Sequence, residues 1–310
     1  MAFWKNKKVL VTGATGFLGA WLCKELASQK ANVIGVSRRP DFRLLKLHNI
    51  SKQIKFFSAD IANPKEVQKL FEKTKPDFCF HLAGFSFPKK ADETPLEAVS
   101  ANVLGTSCVA LQCARQNVRF VLASSVRVYP NRGLLDENSR LGESETYAFS
   151  KIKAEEVVRF LAKKKRLKAV IVRLATVYGP VRFPAFEHFV NNNIVCFLKG
   201  KTARNKKGYV RDFLFVKDAI DGVLAAGKNC GRFSGETFNI SFGKSFLGSD
   251  LAVQIKKMIK QKPVTFNPAA SLRIKNNRAL EKLGWKPSFS LKEGLAETIK
   301  WYQKNPSVKT

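Results

Sequence analysis

Val9 to Leu22 reads VLVTGATGFLGAWL: an apolar run ends at Thr12, Gly13, Gly16 and Gly19 follow three apart, and a helical pattern opens at Phe17. Each glycine meets a separate steric demand. The first permits a tight turn, the second lets backbone approach a pyrophosphate, and the third lets helix and strand pack closely, while the helix's amino-terminal amides face the phosphate charge. The preceding strand and following amphipathic helix distinguish a dinucleotide loop from three unrelated turn glycines.

Outward from this loop, short apolar runs alternate with longer amphipathic stretches. Strands are expected at Lys8–Thr12, Asn32–Ser37, Ile54–Ala59, Phe78–Leu82, Arg119–Ser124 and Ala169–Leu174. Helices are expected at Phe17–Ser28, Pro64–Thr74, Leu96–Gln116 and Tyr147–Lys165. That alternation predicts an α/β fold with a doubly wound parallel sheet. Beyond Gly179-Pro180 the rhythm loosens, with a strand at Arg211–Val216, a helix from Lys217, an irregular Gly-rich stretch from Gly227 to Gly248, and two terminal helical patterns beside Trp285 and Trp301. The expected organisation is a dinucleotide domain over 1–180, with 211–228 returning to it, and a smaller, mainly substrate-binding domain over 181–310.

Composition excludes several classes. The 310 residues are 45% hydrophobic and 25% charged, which argues against disorder, collagen and a disulfide scaffold. The six cysteines form no Cys-x-x-Cys pair and read as reduced core residues, and with three histidines at no ligand spacing no metal is expected. Lys5, Lys7 and Lys8 ahead of an apolar run resemble a secretory leader, but the spaced glycines explain that run better. No apolar run approaches the roughly 20 residues of a bilayer span. A cytoplasmic protein without membrane partners is expected. The net charge of +31, from 55 Lys and Arg against 24 Asp and Glu, reads first as a solvated Lys-rich surface. Capture of polyanionic small ligands is the second reading. Nucleic acid on basic stretches such as Lys163–Lys168 or Lys199–Lys207 is the third, and no specific nucleic acid is expected.

Several strand ends carry candidate chemistry. The second is followed by Ser37, Arg38 and Arg39 with no acid, which favours the 2′-phosphate of NADP over NAD, NAD remaining open. The third ends at Asp60 and Ile61, toward the adenine, and the fourth in HLAGFS (His81–Ser86), a small-residue turn in which His81 reads as structural. After the fifth, Ser124 and Ser125 stand at a carboxyl edge. Tyr147 and Lys151 lie four apart on one helical face. A cation about 4 Å from the phenol, at an effective dielectric of 20, would favour the phenolate by roughly 4 kcal/mol, moving the tyrosine toward neutral pH before desolvation opposes it. Tyr147 would then serve as a general base.

TGATGFLG, HLAG, NVLGT (Asn102–Thr106), ASSVRVY (Ala123–Tyr129), YAFSK (Tyr147–Lys151), RLATVYGP (Arg173–Pro180), RDFLFVKDAIDGV (Arg211–Val223) and LGWKP (Leu283–Pro287) follow in order over nearly the whole chain. Together they resemble the extended short-chain dehydrogenase/reductases of the NAD-dependent epimerase/dehydratase family, which act on nucleotide sugars and carry a Rossmann domain. The resemblance implies Ser125 as the catalytic hydroxyl, Tyr147 as the base that takes a sugar hydroxyl proton, usually at C4, and Lys151 as the residue on the nicotinamide ribose. It implies cofactor contacts at Gly13, Thr15, Gly16, Phe17, Leu18, Gly19, Ser37, Arg38, Asp60, Ile61, Leu82, Ala83, Gly84, Ala123, Tyr147, Lys151 and Val177. Substrate contacts fall to Ser86, Ser125, Thr176 and Arg211, the last as a fork of donors for a diphosphate.

Departures bear on the reaction. Sugar 4,6-dehydratases usually follow the catalytic hydroxyl with acids, where this chain has Val126 and Arg127, so epimerisation is favoured. Against this, the opening resembles CDP-glucose 4,6-dehydratases and VIGVSRRP resembles the NADP region of GDP-mannose 4,6-dehydratases. Thr176 replaces the family's frequent asparagine. A 4-keto-sugar reductase, a reductase of non-sugar carbonyls, and a cofactor-binding regulatory or RNA-associated protein are the alternatives. A homodimer through Leu96–Gln116 and Tyr147–Lys165 is expected by analogy.

Overall fold

A computed structural model describes residues 3–142, 145–181, 188–203 and 208–306. Its strands are β1 (Lys8–Thr12), β2 (Asn32–Ser37), β3 (Lys55–Ser58), β4 (Phe78–His81), β5 (Arg119–Ser125), β6 (Gly133–Leu135), β7 (Ala169–Leu174), β8 (Thr176–Tyr178), β9 (Val210–Phe215), β10 (Thr237–Ile240), β11 (Ser245–Leu247) and β12 (Leu272–Ile274). Seven of them form one sheet in the order β10-β7-β5-β4-β1-β2-β3. β1 pairs in parallel with both β2 and β4, so the order reverses between β1 and β4. Open α/β sheets hold their ligands in the crevice beyond such a reversal. Here the chain leaves β1 through the glycine loop and leaves β4 through Leu82–Gly84.

Two compact units divide the chain. The first comprises residues 1–130, 140–173 and 220–238, and the second 131–139, 174–219 and 239–310. The return to the first unit therefore begins later than 211, because β9 pairs with β8 and β11 in the second unit. The stretch from Gly227 to Gly248, expected to be irregular, contains β10 and β11. Its glycines bound short strands instead of preventing them.

The first unit's core packs apolar side chains of β1, β2, β4, β5 and β7, including Leu10, Val36, Cys79, Phe120 and Ile171. β7 is buried throughout, Arg173 included, as expected of strands covered on both faces. Beneath the sheet Trp4 is fully buried against Phe78 and Phe80, and a Cβ at Gly227 would overlap the Phe80 ring. The expected helix over Leu96–Gln116 forms as Pro95–Val99, a π turn at Ser100–Leu104, and Gly105–Arg115. All six cysteines are free thiols; Cys108 and Cys196 are half-buried and the other four buried.

In the second unit Asp212 of β9 accepts the Phe242 and Gly243 N–H groups, both at 2.8 Å. Burial raises its carboxyl to about 7 against those donors. The buried Trp285 donates to the Asp218 carbonyl, and the half-buried Trp301 stacks edge-on with Tyr302. The terminal helix Leu291–Lys304 opens on a capping box of Ser290 and Glu293. Among the described residues no helix is long and apolar enough to cross a membrane, and no cluster of His, Cys, Asp and Glu suits a metal ion. Of the basic stretch 199–207, residues 204–207 lie outside the described residues.

Candidate active site

The glycine loop is held at its base by backbone. Gly13, at φ +71°, donates to the Val36 carbonyl at 2.8 Å, and Gly16 donates to the Gly13 carbonyl at 2.9 Å. A Cβ at Gly19 would overlap the Gly13 carbonyl oxygen. The helix from Phe17 to Ser28 begins with Gly16 at its N-cap and no side chain capping its amides. This wall of bare backbone at an uncapped helix start fits a pyrophosphate. Replacing Gly19 with Ala is expected to force the loop outward and weaken dinucleotide binding about 10- to 100-fold. Calorimetric titration with NAD and NADP checks this, and an unchanged affinity would mean that the loop yields freely.

At the adenosine end, the Thr15 hydroxyl donates to Ser37 Oγ at 3.0 Å, tying the loop to β2. Arg38 reaches Asp60 at 3.3 Å across an exposed gap. Ile61 is buried in the core, and a Cβ at Gly105 would overlap its side chain. Between β1 and β4 the Ala83 N–H donates to Thr12 Oγ1, and Thr12 shares a 2.8 Å hydrogen bond with His81 Nδ1. With Thr106 on its other nitrogen and burial lowering it to about 3, His81 is a neutral strut for the Leu82–Gly84 turn. Asn102, on the π turn, accepts the Phe85 N–H and donates to Ser150, fixing the same turn from its far side.

Ser125, Tyr147 and Lys151 come together in the first unit. The Ser125 side chain stands beside the Tyr147 phenol and favours its ionised form. Lys151 Nζ donates to the Ala123 carbonyl at 3.1 Å and stands 5.9 Å from the Tyr147 ring centre. The expectation that this ammonium draws the phenol toward neutrality fails here. Burial pushes the tyrosine up and outweighs the Ser125 side chain and the Arg127 charge. Burial also lowers Lys151 to about 8, with Glu155 opposing.

Behind this trio lies a network that sequence reasoning missed. Glu155, fully buried one turn beyond Lys151, accepts from Ser124 at 2.5 Å and from Arg173 at 3.0 and 2.7 Å. Arg159 adds a bond at 2.6 Å, and Arg173 donates onward to Tyr129 at 2.7 Å. The Lys151-x-x-x-Glu155 spacing, which puts both on one helical face, was the available signal. A second pair was missed as well: Arg127 Nε and Nη2 grip both oxygens of Glu145 at 2.7 and 2.6 Å.

Ser86 is exposed on the loop after β4. Thr176, Val177 and Arg211 belong to the second unit, the first two on β8 and the third on β9. Arg211 lies 4.6 Å over the Tyr209 ring and donates to the Val210 carbonyl.

Residues 9–241 match the family model of the NAD-dependent epimerase/dehydratase family. The chain belongs to that family. Epimerase/dehydratase-family enzymes are of the extended short-chain dehydrogenase/reductase type, with the Rossmann-like sheet described above. Among relatives, a UDP-glucose 4-epimerase of Mycolicibacterium smegmatis is 29% identical over 96% of this chain and 98% of its own. A human dTDP-D-glucose 4,6-dehydratase is 28% identical over 96% and 91%. Among solved structures, a DesIV double mutant (dTDP-glucose 4,6-dehydratase) from Streptomyces venezuelae with NAD and DAU bound superposes at a TM-score of 0.83. It has 22% identity, covering 97% of this chain and 98% of that one. Epimerases and dehydratases thus both stand among the family members this chain resembles.

Proposed function

We propose that this chain oxidises a nucleotide-linked hexose at C4 and returns it reduced on the opposite face, so that the net reaction is epimerisation. The carrying observation is the composition of the turn after Ser125. Where the dehydratases of the resemblance carry acids for elimination, this chain carries Val126, which is buried, and Arg127, whose guanidinium is bound to Glu145. The carboxylate that bears on the phenol is thereby neutralised instead of being available to shuttle a proton between C5 and C6.

In this mechanism Tyr147 takes the proton of the C4 hydroxyl and later returns it, while Ser125 bonds the same sugar oxygen and keeps it in line with the phenol. When bound, the dinucleotide accepts and gives back the hydride. Gly13, Thr15, Gly16, Phe17, Leu18 and Gly19 hold its pyrophosphate, and Leu82, Ala83, Gly84, Ala123 and Val177 border its path. Lys151, which donates to the Ala123 carbonyl, would hold the nicotinamide ribose. Arg211 takes the sugar nucleotide's diphosphate through its fork, with Ser86 and Thr176 toward the sugar.

NADP is the favoured cofactor, since Ser37, Arg38 and Arg39 present donors and no acid at the end of β2; NAD, the dinucleotide of the family's name, is the competitor. Exposed Leu96, Leu104 and Phe160 on the two helical segments expected to pair support a homodimer. The test is mass spectrometry and chromatography of UDP-, GDP-, CDP- and dTDP-hexoses incubated with the protein and either cofactor. An isomer of unchanged mass, formed faster with NADP, is expected. Loss of water would replace the reading with dehydration, and untouched sugars would overturn it.

A further inference from the structure

The Arg127–Glu145 pair does more than occupy the place of elimination acids. Arg127 and Glu145 are 18 residues apart, and each adjoins one half of the reacting couple. Arg127 lies in the short 3₁₀ turn Val126–Val128, and its own N–H donates to Ser125 Oγ at 3.2 Å. Glu145 is the N-cap residue of the helix in which Tyr147 is the second residue, yet its carboxylate caps no amide of that helix. Asp92, from the Pro88–Glu93 helix, takes the Thr146 N–H instead, at 2.9 Å. The Glu145 carboxylate is left for Arg127, in a two-point grip with side chains only 28% and 19% exposed. A planar fork on a carboxylate fixes distance and orientation together, which a single contact does not.

We propose that Arg127 and Glu145 form a clasp that positions the Ser125 hydroxyl against the Tyr147 phenol and balances the charge around it. Both are positioning residues, and the proposal rests on the reading of Ser125 and Tyr147 as the reacting pair. The clasp spans the gap between the end of β5 and the start of the helix, so losing it frees both the Ser125 and the Tyr147 side of the reacting pair. Its two halves also act on the phenol in opposite senses, Arg127 favouring the phenolate and Glu145 disfavouring it.

Among the described residues, the other charged groups around the tyrosine are accounted for. Lys151 on its own helix bonds Ala123; on the Pro88–Glu93 helix, Lys90 lies over Phe85, Asp92 caps Thr146, and Lys89 pairs with Glu93. Glu97 of the Pro95–Val99 helix is exposed. β5 and the Gly105–Arg115 helix carry charge only at their far ends, Arg119 and Arg115.

The test uses the full chain with Arg127→Met, Glu145→Gln and the exchanged double variant R127E/E145R, and UDP-glucose as probe substrate. Each single variant is expected to lower kcat about 10- to 100-fold with KM and cofactor affinity within about twofold of the parent. The exchanged pair should recover most of the loss. Titration of tyrosinate absorbance, each variant against the same variant with Tyr147→Phe, needs no substrate. Ionisation of Tyr147 should move to higher pH in Arg127→Met and to lower pH in Glu145→Gln. Single variants with parental kcat, an exchanged pair no better than the singles, or a titration moving the same way in both would overturn the clasp. A parent that leaves UDP-glucose untouched would count against the catalytic reading, and the opposed titration shifts would then decide the clasp alone.

Discussion

Tyr147→Phe is expected to cut turnover by about 10³- to 10⁴-fold, the scale of a lost general base, while dinucleotide affinity stays within about twofold. The substitution removes one oxygen from a ring packed among Ala91 and Ala98, so the fold has no reason to move. Stopped-flow hydride transfer and cofactor fluorescence measure the two quantities separately. In the parent, the rate should rise with pH as the phenol loses its proton, because burial holds it above the ordinary tyrosine value. That limb should vanish in the variant. Turnover at the parental rate would remove Tyr147 from the chemistry.

Glu155→Ala is expected to cost about 3 to 5 kcal/mol of stability, the penalty for leaving a buried partner charge uncompensated. Arg173 is buried and donates two hydrogen bonds to this carboxylate. Urea denaturation at pH 7 gives the number. The pH sign also follows. Burial would raise the Glu155 carboxyl, but Arg173, Arg159 and Ser124 outweigh burial and hold it below the usual carboxylate range. Its contribution is therefore complete above the unfolded-state pKa and is lost as pH falls through the folded one. The parent and variant curves should converge in acid, and a gap under about 1 kcal/mol at neutral pH would mean that Arg173 finds another partner.

What could be read in advance was what periodicity and glycine spacing encode. The first six parallel strands needed only local apolar runs, and no observed bound shifts by more than one residue. β10 escaped because Thr237–Ile240 is a four-residue run between turn glycines, its place in the sheet fixed by pairing partners far away in sequence. The same limit applies at the site. Ser125, Tyr147 and Lys151 stand in recognisable motifs, whereas Glu145, Glu155 and Arg173 act through partners 18 residues distant that no local pattern announces. The pull of Lys151 on the phenol was misjudged for a further reason. Sequence supplies the helical face but neither the distance of the ammonium nor the cost of burial.

The discontinuity of the first unit bears on synthesis at the ribosome. Residues 1–173 emerge without the segment 220–238 that completes the unit, which follows roughly 65 residues later. At roughly 5–20 residues per second that is a wait of about 3 to 13 s. Throughout it β7 has its β5 neighbour but not β10, leaving a row of unpaired backbone groups on a buried-type strand. A nascent chain paused in that window is the species most exposed to strand-edge aggregation, and the one for which a chaperone would matter most.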